Sequence, residues 1–214
     1  MCNVNQSLLK GENMSQEIIL FIILKLLAYD NAIGLEKTVV KNHLTRVAEA
    51  IHKHHTKDVP AIRLIALAYE ESRFGYKEVQ LKKAVISNKK ACGIYQQVVK
   101  FSMIPTTCKK LQDPEHATKV AIKYLNYMIK RWNIKGTAKM DNRMCHYYSG
   151  NSCDDNKDKK LNKKDEAMRY AYRHRKTRKK ALKFYRKSKK TKISLNNKKR
   201  VKKRFSWEPP LIMK

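Results

Sequence analysis

Apolar residues recur at intervals of three and four along most of this chain, which is the spacing of one face of an α-helix. The pattern predicts a first helix over 16–30 and a second over 36–54. A third helix is predicted to start at Pro60, a residue suited to a first turn, and to run to about Phe74. No stretch shows the alternation of β-branched residues that marks a half-buried strand. The chain is therefore predicted to be mainly α, with little or no sheet.

The helical pattern continues in the second half of the chain. Residues 96–103 suggest a short helix, and Asp113-Pro114 opens the most clearly amphipathic one. A further short helix is predicted over 144–149, ended by Gly150 as a left-handed cap. Residues 165–185 then form a strongly basic helical segment. We find no internal repeat.

The segment 18–29 is apolar enough to raise the question of a signal peptide or a membrane span. It is shorter than the roughly 20 apolar residues that a span needs, and Lys25 interrupts it. No Ala-x-Ala site follows it, and Glu12 and Glu17 cancel the positive flank of a signal peptide. We therefore predict a buried amphipathic helix and no signal peptide, with a signal-arrest anchor as the alternative.

The charge of the chain is unusually high and unevenly distributed. Its 49 Lys and Arg outnumber 18 Asp and Glu, for a formal charge of +31. Residues 157–205 hold 24 Lys and Arg against 3 acids, which gives +21 of that total. This predicts a polyanionic partner, either nucleic acid, an anionic membrane or a cell-envelope polymer. For residues 188–214 the alternative is a solvated tail without a specific partner.

The chain contains five cysteines, Cys2, Cys92, Cys108, Cys145 and Cys153. They are too few for a disulfide-dense secreted scaffold, and an odd number leaves at least one unpaired. A bridge between Cys145 and Cys153 is one option in an oxidising compartment, but buried free thiols are the preferred interpretation. Their spacing matches no usual zinc pattern, so no metal site is predicted.

Three short motifs carry the chemistry of the chain: Glu71-Ser72-Arg73-Phe74, Gly93-Ile94-Tyr95-Gln96 and His146-Tyr147-Tyr148-Ser149-Gly150. In this order and at this spacing they resemble the catalytic core of soluble lytic transglycosylases, which share the lysozyme fold and cleave peptidoglycan. Glu166 followed by Tyr170 resembles the closing helix of that family. The resemblance spans about residues 58–187. It implies a mainly α, lysozyme-like helical domain followed by a basic helix and tail.

The resemblance also implies roles for individual residues. Glu71 matches the single catalytic acid and base, and Ser72 matches its partner. The remaining matches are substrate-binding residues of the cleft, namely Gly93, Ile94, Tyr95, Gln96, Tyr147, Tyr148 and Ser149. Three positions depart from the family, because Tyr95, His146 and Tyr148 replace Met, Ala and Asn. Tyr95 is therefore expected to give a bulkier cleft floor.

Helical geometry separates Glu71 from its neighbour without any reference to a family. The residues three, four and seven positions before Glu71 are Ala68, Leu67 and Leu64, whereas Arg63 lies seven positions before Glu70. Glu71 is therefore expected to face the interior, and Glu70 to face water. A partly desolvated carboxyl has a raised pKa, as a general acid near neutral pH requires. Taken alone, pairing of Glu71 with a Lys or Arg is the competing interpretation.

We expect one domain of ordinary size plus flanking segments. The predicted division is a disordered 1–14, N-terminal helices over 15–57 that pack on the core, a catalytic domain over 58–187 and a basic tail over 188–214. The chain is expected to be a monomer.

The resemblance implies cleavage of the bond between N-acetylmuramic acid and N-acetylglucosamine, with 1,6-anhydromuramyl products and without cofactor or metal. Between Glu71 and Gln96 the one other acid is Glu78, whereas goose-type lysozymes, which share two of the motifs, place an Asp in this region. A substrate-assisted route with a single acid is therefore favoured. A lysozyme-type hydrolase of the same bond is the first alternative, and the second is a catalytically inactive lysozyme-like protein that serves as a virion component or binds DNA, using the basic tail.

A wall-degrading domain without a secretion signal is similar to small phage-type lysins and virion-borne transglycosylases. Those proteins reach the cell wall through a holin or as part of a particle. We therefore expect action in the periplasm after release from the host cytoplasm or from a virion.

Overall fold

The computed structural model describes residues 14–87, 90–134, 140–141, 144–145, 147 and 161–204. Side chains of the last segment are described over 166–191. The predicted disordered residues lie in the N-terminal part outside this set, apart from Met14.

Helices dominate the described part of the chain, as the sequence predicts. They are α1 (Gln16–Tyr29), α2 (Thr38–His54), α3 (Ala61–Ser72), α4 (Tyr76–Gln80), α5 (Pro114–Arg131) and α6 (Leu161–Arg204), with single 3₁₀ turns at Arg73–Gly75, Val99–Phe101 and Lys110–Gln112. Met144, Cys145 and Tyr147 of the predicted helix over 144–149 are helical, and the rest of that prediction lies outside the described residues.

Helix α3 forms the centre of the core. Every residue from Ala61 to Tyr69 is buried, including Arg63. A helix that is buried on all sides must be surrounded by other elements, and α1, α2 and α6 all pack against it. Helix α5 packs on α2 and begins at Asp113, whose side chain accepts a hydrogen bond from the backbone N–H of His116. This helix start confirms the predicted N-cap.

The predicted helix over 96–103 is wrong. Residues Ala91–Cys92 form strand β1, and Gln97–Val98 form strand β2, which pairs with β1 in antiparallel register. The turn between them needs positive φ at Gly93 (+74°) and Gln96 (+47°), and the β-branched Val98 suits the second strand. The helical spacing that we saw in the sequence belongs to a tight hairpin followed by a 3₁₀ turn.

The preferred interpretation of the cysteines as free thiols is also wrong. Cys92 and Cys108 form a disulfide that closes a loop with a sequence separation of 16. Cys145 is disulfide-bonded as well. The disulfide between Cys92 and Cys108 joins strand β1 to the segment that leads into α5.

Helix α6 is longer than the predicted segment 165–185. Its 44 residues, Leu161–Arg204, contain no Gly or Pro to interrupt it. Lys and Arg are good helix formers, and packing of one side of α6 on α3 and α1 stabilises its first half. Among the helices of the described ranges, none is both long and apolar enough to cross a membrane.

Candidate active site

Glu71 lies in the last turn of α3, where its partly buried side chain meets α6. Its Oε1 accepts a hydrogen bond of 2.5 Å from the Tyr170 hydroxyl. Burial raises the pKa of Glu71 to about 7, and the negative charge of Glu70 adds to the rise, while the Tyr170 hydrogen bond and Arg173 oppose it. At neutral pH this carboxyl therefore exists in both protonation states, as a group that first donates and then accepts a proton must.

Glu70 does not face water as expected. Its side chain is 6% exposed and lies 3.6 Å from the Arg173 guanidinium. The Thr177 hydroxyl donates a hydrogen bond to its other oxygen. The spacing of residues within α3 carries no information about α6, and α6 covers both carboxylates. The two acids still differ, because Glu70 is held by a cation and a hydroxyl whereas Glu71 is held by a neutral phenol.

The chain reverses immediately after Ser72, through three residues with positive φ, Arg73 (+52°), Phe74 (+62°) and Gly75 (+67°). Such a run is unfavourable for residues with side chains and requires support from its surroundings. Arg73 lies 3.1 Å from the Asp30 carboxylate, and its guanidinium stacks on Tyr69. Nε2 of His43 lies 2.7 Å from the Phe74 carbonyl. The reversal leaves the Glu71-Ser72 pair at the end of the central helix.

Ser72 connects α3 to the second motif. Its hydroxyl donates a hydrogen bond of 2.8 Å to the carbonyl of Ile94. Gly93, in the same turn, has no room for a side chain, because a Cβ there would lie 2.1 Å from the Leu111 carbonyl oxygen. The hairpin thus presses against the segment before α5, to which the disulfide also ties it.

Three of the four residues of the second motif have buried side chains or backbone. Gly93, Ile94 and Tyr95 are buried, and Tyr95 is 0% exposed with its hydroxyl 3.3 Å from that of Thr118. The bulk of Tyr95 therefore fills the core between the hairpin and α5. Gln96 is partly exposed, and its amide donates to the Gly93 carbonyl across the turn. Of the four motif residues, it is the one whose side chain reaches the surface.

Tyr147 connects the third motif to the second. Its hydroxyl donates a hydrogen bond of 2.9 Å to the Tyr95 carbonyl, and its ring meets Tyr124 edge-on at 5.4 Å. Burial and the negative charge of Glu71 raise the pKa of Tyr147 well above its usual value. Tyr147 therefore lies close enough to Glu71 for the Glu71 charge to affect the Tyr147 hydroxyl. The other predicted residues of this motif, Tyr148 and Ser149, lie outside the described residues.

Tyr170 was not among the residues predicted for the site. The sequence places it in a helix that resembles the closing helix of a family, but nothing in the sequence aims its hydroxyl at Glu71. Burial, followed by the Glu71 charge, raises the pKa of Tyr170 well above its usual value, so it donates as a neutral phenol. The sequence does show that Tyr170 lies on the face of the basic helical segment that carries the fewest charges, and this is the signal that could have identified it.

A buried cluster of charged residues, Arg63, Asp141 and Arg178, connects α6 to α3. The Arg178 guanidinium donates three hydrogen bonds to Asp141, of 2.9 and 3.0 Å from Nε and 2.6 Å from Nη2. Arg63 of α3 contacts the same carboxylate at 3.2 Å. Asp141 is 3% exposed, so these interactions occur away from water. Burial lowers the pKa of Arg63 to about 10 and that of the nearby His174 well below its usual value.

Within the described ranges, no group of three or more His, Cys, Asp or Glu side chains is placed to hold a metal ion. The site holds the partly buried carboxyl of Glu71 beside that of Glu70, and segments that are distant in sequence position both groups. Three hydrogen bonds make the connections: Ser72 to Ile94, Tyr147 to Tyr95, and Tyr170 to Glu71.

The domain is mainly helical, and its central helix ends in the acidic pair Glu70 and Glu71. The sequence model described as the transglycosylase SLT domain matches residues 49–173, more than half of the chain. The chain belongs to this family. Family membership assigns it lytic transglycosylase activity on peptidoglycan and therefore a role at the cell wall. No curated protein and no solved structure matches the chain at a significant level.

Proposed function

We propose that Glu71 is the single catalytic residue of this transglycosylase and that it cleaves the β-1,4 bond between N-acetylmuramic acid and N-acetylglucosamine. The observation that carries the proposal is its pKa of about 7, produced by burial beside Tyr170 at the point where the three motifs converge. A carboxyl with a usual pKa would be almost fully ionised at neutral pH and would be a poor proton donor.

In the first step, protonated Glu71 donates its proton to the glycosidic oxygen, and the bond from that oxygen to the muramyl C1 breaks. The carbonyl oxygen of the muramyl N-acetyl group stabilises the positive charge at C1. In the second step, the Glu71 carboxylate takes the proton of the muramyl C6 hydroxyl, and O6 bonds to C1. The product is a 1,6-anhydromuramyl end, water is not consumed, and Glu71 regains its starting protonation state.

The surroundings of Glu71 favour this route over one that needs two carboxylates. Glu70 is engaged by Thr177 and Arg173. We infer that Gln96 and Tyr147 orient the substrate, since Gln96 is the partly exposed residue of the second motif and Tyr147 contacts Tyr95 of that motif. Tyr148 and Ser149 remain predicted substrate contacts.

A hydrolase is the second candidate, and one observation favours it. Glu78 has a buried Oε2 without a hydrogen-bond partner in the described part of the chain. A carboxylate in this state is a candidate base for the activation of water. If Glu78 had this role, the products would be hydrolysed ends.

The products of digested peptidoglycan distinguish the two reactions. Mass spectrometry should show muropeptides that are lighter by one water than hydrolysed ones. Glu71→Gln should fold and lose activity by at least about a thousandfold, the upper part of the range for general acid–base catalysis, and Glu78→Gln should retain it. Clearing of peptidoglycan by Glu71→Gln would overturn the assignment. Hydrolysed ends together with an inactive Glu78→Gln would identify a lysozyme-type enzyme, and a wild-type protein without activity would support the inactive virion role.

A further inference from the structure

The outward side of α6 carries a regular row of cations that the proposed function does not use. These residues, which we call the outer stripe, are Lys176, Lys179, Lys183, Arg186 and Lys190. All five are exposed. Their spacing of three and four residues places them along one line of the helix.

The cations of the outer stripe have no partner among the residues described by the structure. None of them takes part in a hydrogen bond, an ion pair or a cation–π contact with the residues that the structure describes. Some cations elsewhere on the surface are paired, namely Arg46 with Asp113, and Lys53 and Lys119 with Glu115. Like charges at these spacings repel one another along a helix. The stripe thus concentrates positive charge that nothing within the described chain neutralises.

The composition of this side argues against a bilayer as the partner. A helix that lies in a membrane interface inserts an apolar face. The apolar side of α6 is already used, because Ala167, Tyr170, Ala171, Ala181 and Tyr185 are buried. The large exposed apolar side chains of α6 in the described range are Met168 and Tyr172, which precede the stripe.

The spacing of the cations along α6 can be compared with the spacing of anionic groups along different polymers. The five cations of the outer stripe extend from Lys176 to Lys190, over about 21 Å at a rise of 1.5 Å per residue. This is one cation for about every 5 Å, of the same order as the spacing of about 3.4 Å between charges along one strand of duplex DNA. A peptidoglycan strand carries its carboxylates on stem peptides, one set per disaccharide, and is a sparser match.

We infer that the outer stripe of α6 binds the phosphodiester backbone of duplex nucleic acid. Lys and Arg side chains contact phosphate without regard to sequence, so the interaction is non-specific and strongly dependent on salt. The stripe lies on the side of α6 opposite Tyr170, and binding there does not require the catalytic carboxyl. The proposal is therefore independent of the one for Glu71.

The test is fluorescence anisotropy of a labelled 30-base-pair duplex of mixed sequence, titrated with the full chain at several salt concentrations. The stripe variant replaces Lys176, Lys183 and Lys190 with Gln. The control variant makes the same change in net charge at Lys41, Lys77 and Lys109, which are exposed and lie outside α6. Circular dichroism verifies that both variants remain folded.

Each phosphate contact contributes about 0.9 to the slope of log affinity against log salt. The stripe variant should therefore lose about 2 to 3 from that slope, and its affinity at 0.1 M salt should fall on the order of tenfold. The control variant should change affinity less than about threefold. Equal effects of the two variants would mean diffuse attraction by net charge and would overturn the site. Failure of the wild type to bind the duplex, or stripe-dependent binding of anionic phosphatidylglycerol vesicles in its place, would also overturn it.

Discussion

The cations on the two faces of α6 differ in burial and in pairing. On the inner face, Arg178 is buried against Asp141. On the outer face, Lys179, the next residue in the chain, is exposed and unpaired within the described residues. Residue type is nearly the same at the two positions, so the difference lies in what surrounds them.

The contrast shows that a highly charged segment does not act as one unit. Buried charges need partners, and the loss of one partner leaves the others desolvated without compensation. Exposed charges are solvated, and their removal relieves repulsion. The inner face should therefore control folding and the Glu71 site, whereas the outer face should control binding to anions. The following predictions test that separation.

The largest effect is expected from Asp141→Ala. It removes the carboxylate shared by Arg63 and Arg178, and the free energy of unfolding should fall by about 3–5 kcal/mol because two guanidinium groups lose a buried partner. Urea denaturation followed by circular dichroism measures this. Asp58→Ala, at an exposed position, is the matched control and should change stability by less than about 0.5 kcal/mol. A loss below 1 kcal/mol at Asp141 would mean that the cluster does not hold α6 in place.

Tyr170→Phe should reduce the rate of peptidoglycan cleavage on the order of tenfold or more, since it deletes a hydrogen bond to a charged group but keeps the ring. That hydrogen bond lowers the pKa of Glu71. Its loss should raise this pKa, so the alkaline decline in activity should move to higher pH. Tyr172→Phe changes an exposed ring two residues away and should alter neither quantity. Rates of turbidity loss between pH 5 and 9 give both readouts, and an unshifted profile in Tyr170→Phe would contradict the role of its hydroxyl.

Glu71→Gln should make the protein more stable at pH 8 than the wild type, by about 1–2 kcal/mol, and should not do so at pH 4. The folded-state pKa of Glu71, about 7, exceeds its ordinary value of 4.5. As pH rises from 4.5 through 7, the carboxyl ionises more readily in the unfolded chain, and the wild type loses stability. Gln mimics the protonated form and removes this loss. Equal gains at the two pH values would show that Glu71 does not titrate as described, and Glu36→Gln at an exposed site should give no gain at either.

The smallest effect is expected from the stripe variant of Lys176, Lys183 and Lys190. Its free energy of unfolding should rise by a few tenths of a kcal/mol to about 1 kcal/mol at low salt, because each like-charge pair at these spacings destabilises a helix slightly. In 0.5 M salt the gain should disappear through screening. Arg178→Gln, on the inner face, should have the opposite sign and persist in salt. A stripe variant that is clearly destabilised would mean that the two faces do not differ as proposed.

The periodicity of the sequence predicted the main helices well, because α3 and α5 are defined by local spacing and by caps such as Asp113. It failed where distant segments decide the outcome. The hairpin at 91–98 depends on the contact of Gly93 with Leu111, and the burial of Glu70 depends on α6. Tyr95 was expected in a cleft, but it pairs with Thr118 of α5 inside the core.

By itself, the sequence determined that this protein is mainly helical, with Glu71 on an apolar row and an excess of cations near the end of the chain. These features follow from local spacing and composition. The tertiary structure decided the partner of Glu71, the pairing of Cys92 with Cys108, and which cations of α6 are neutralised. Those outcomes depend on which surfaces exclude water when α6 packs on α3, and burial of that kind is a property of the assembled core.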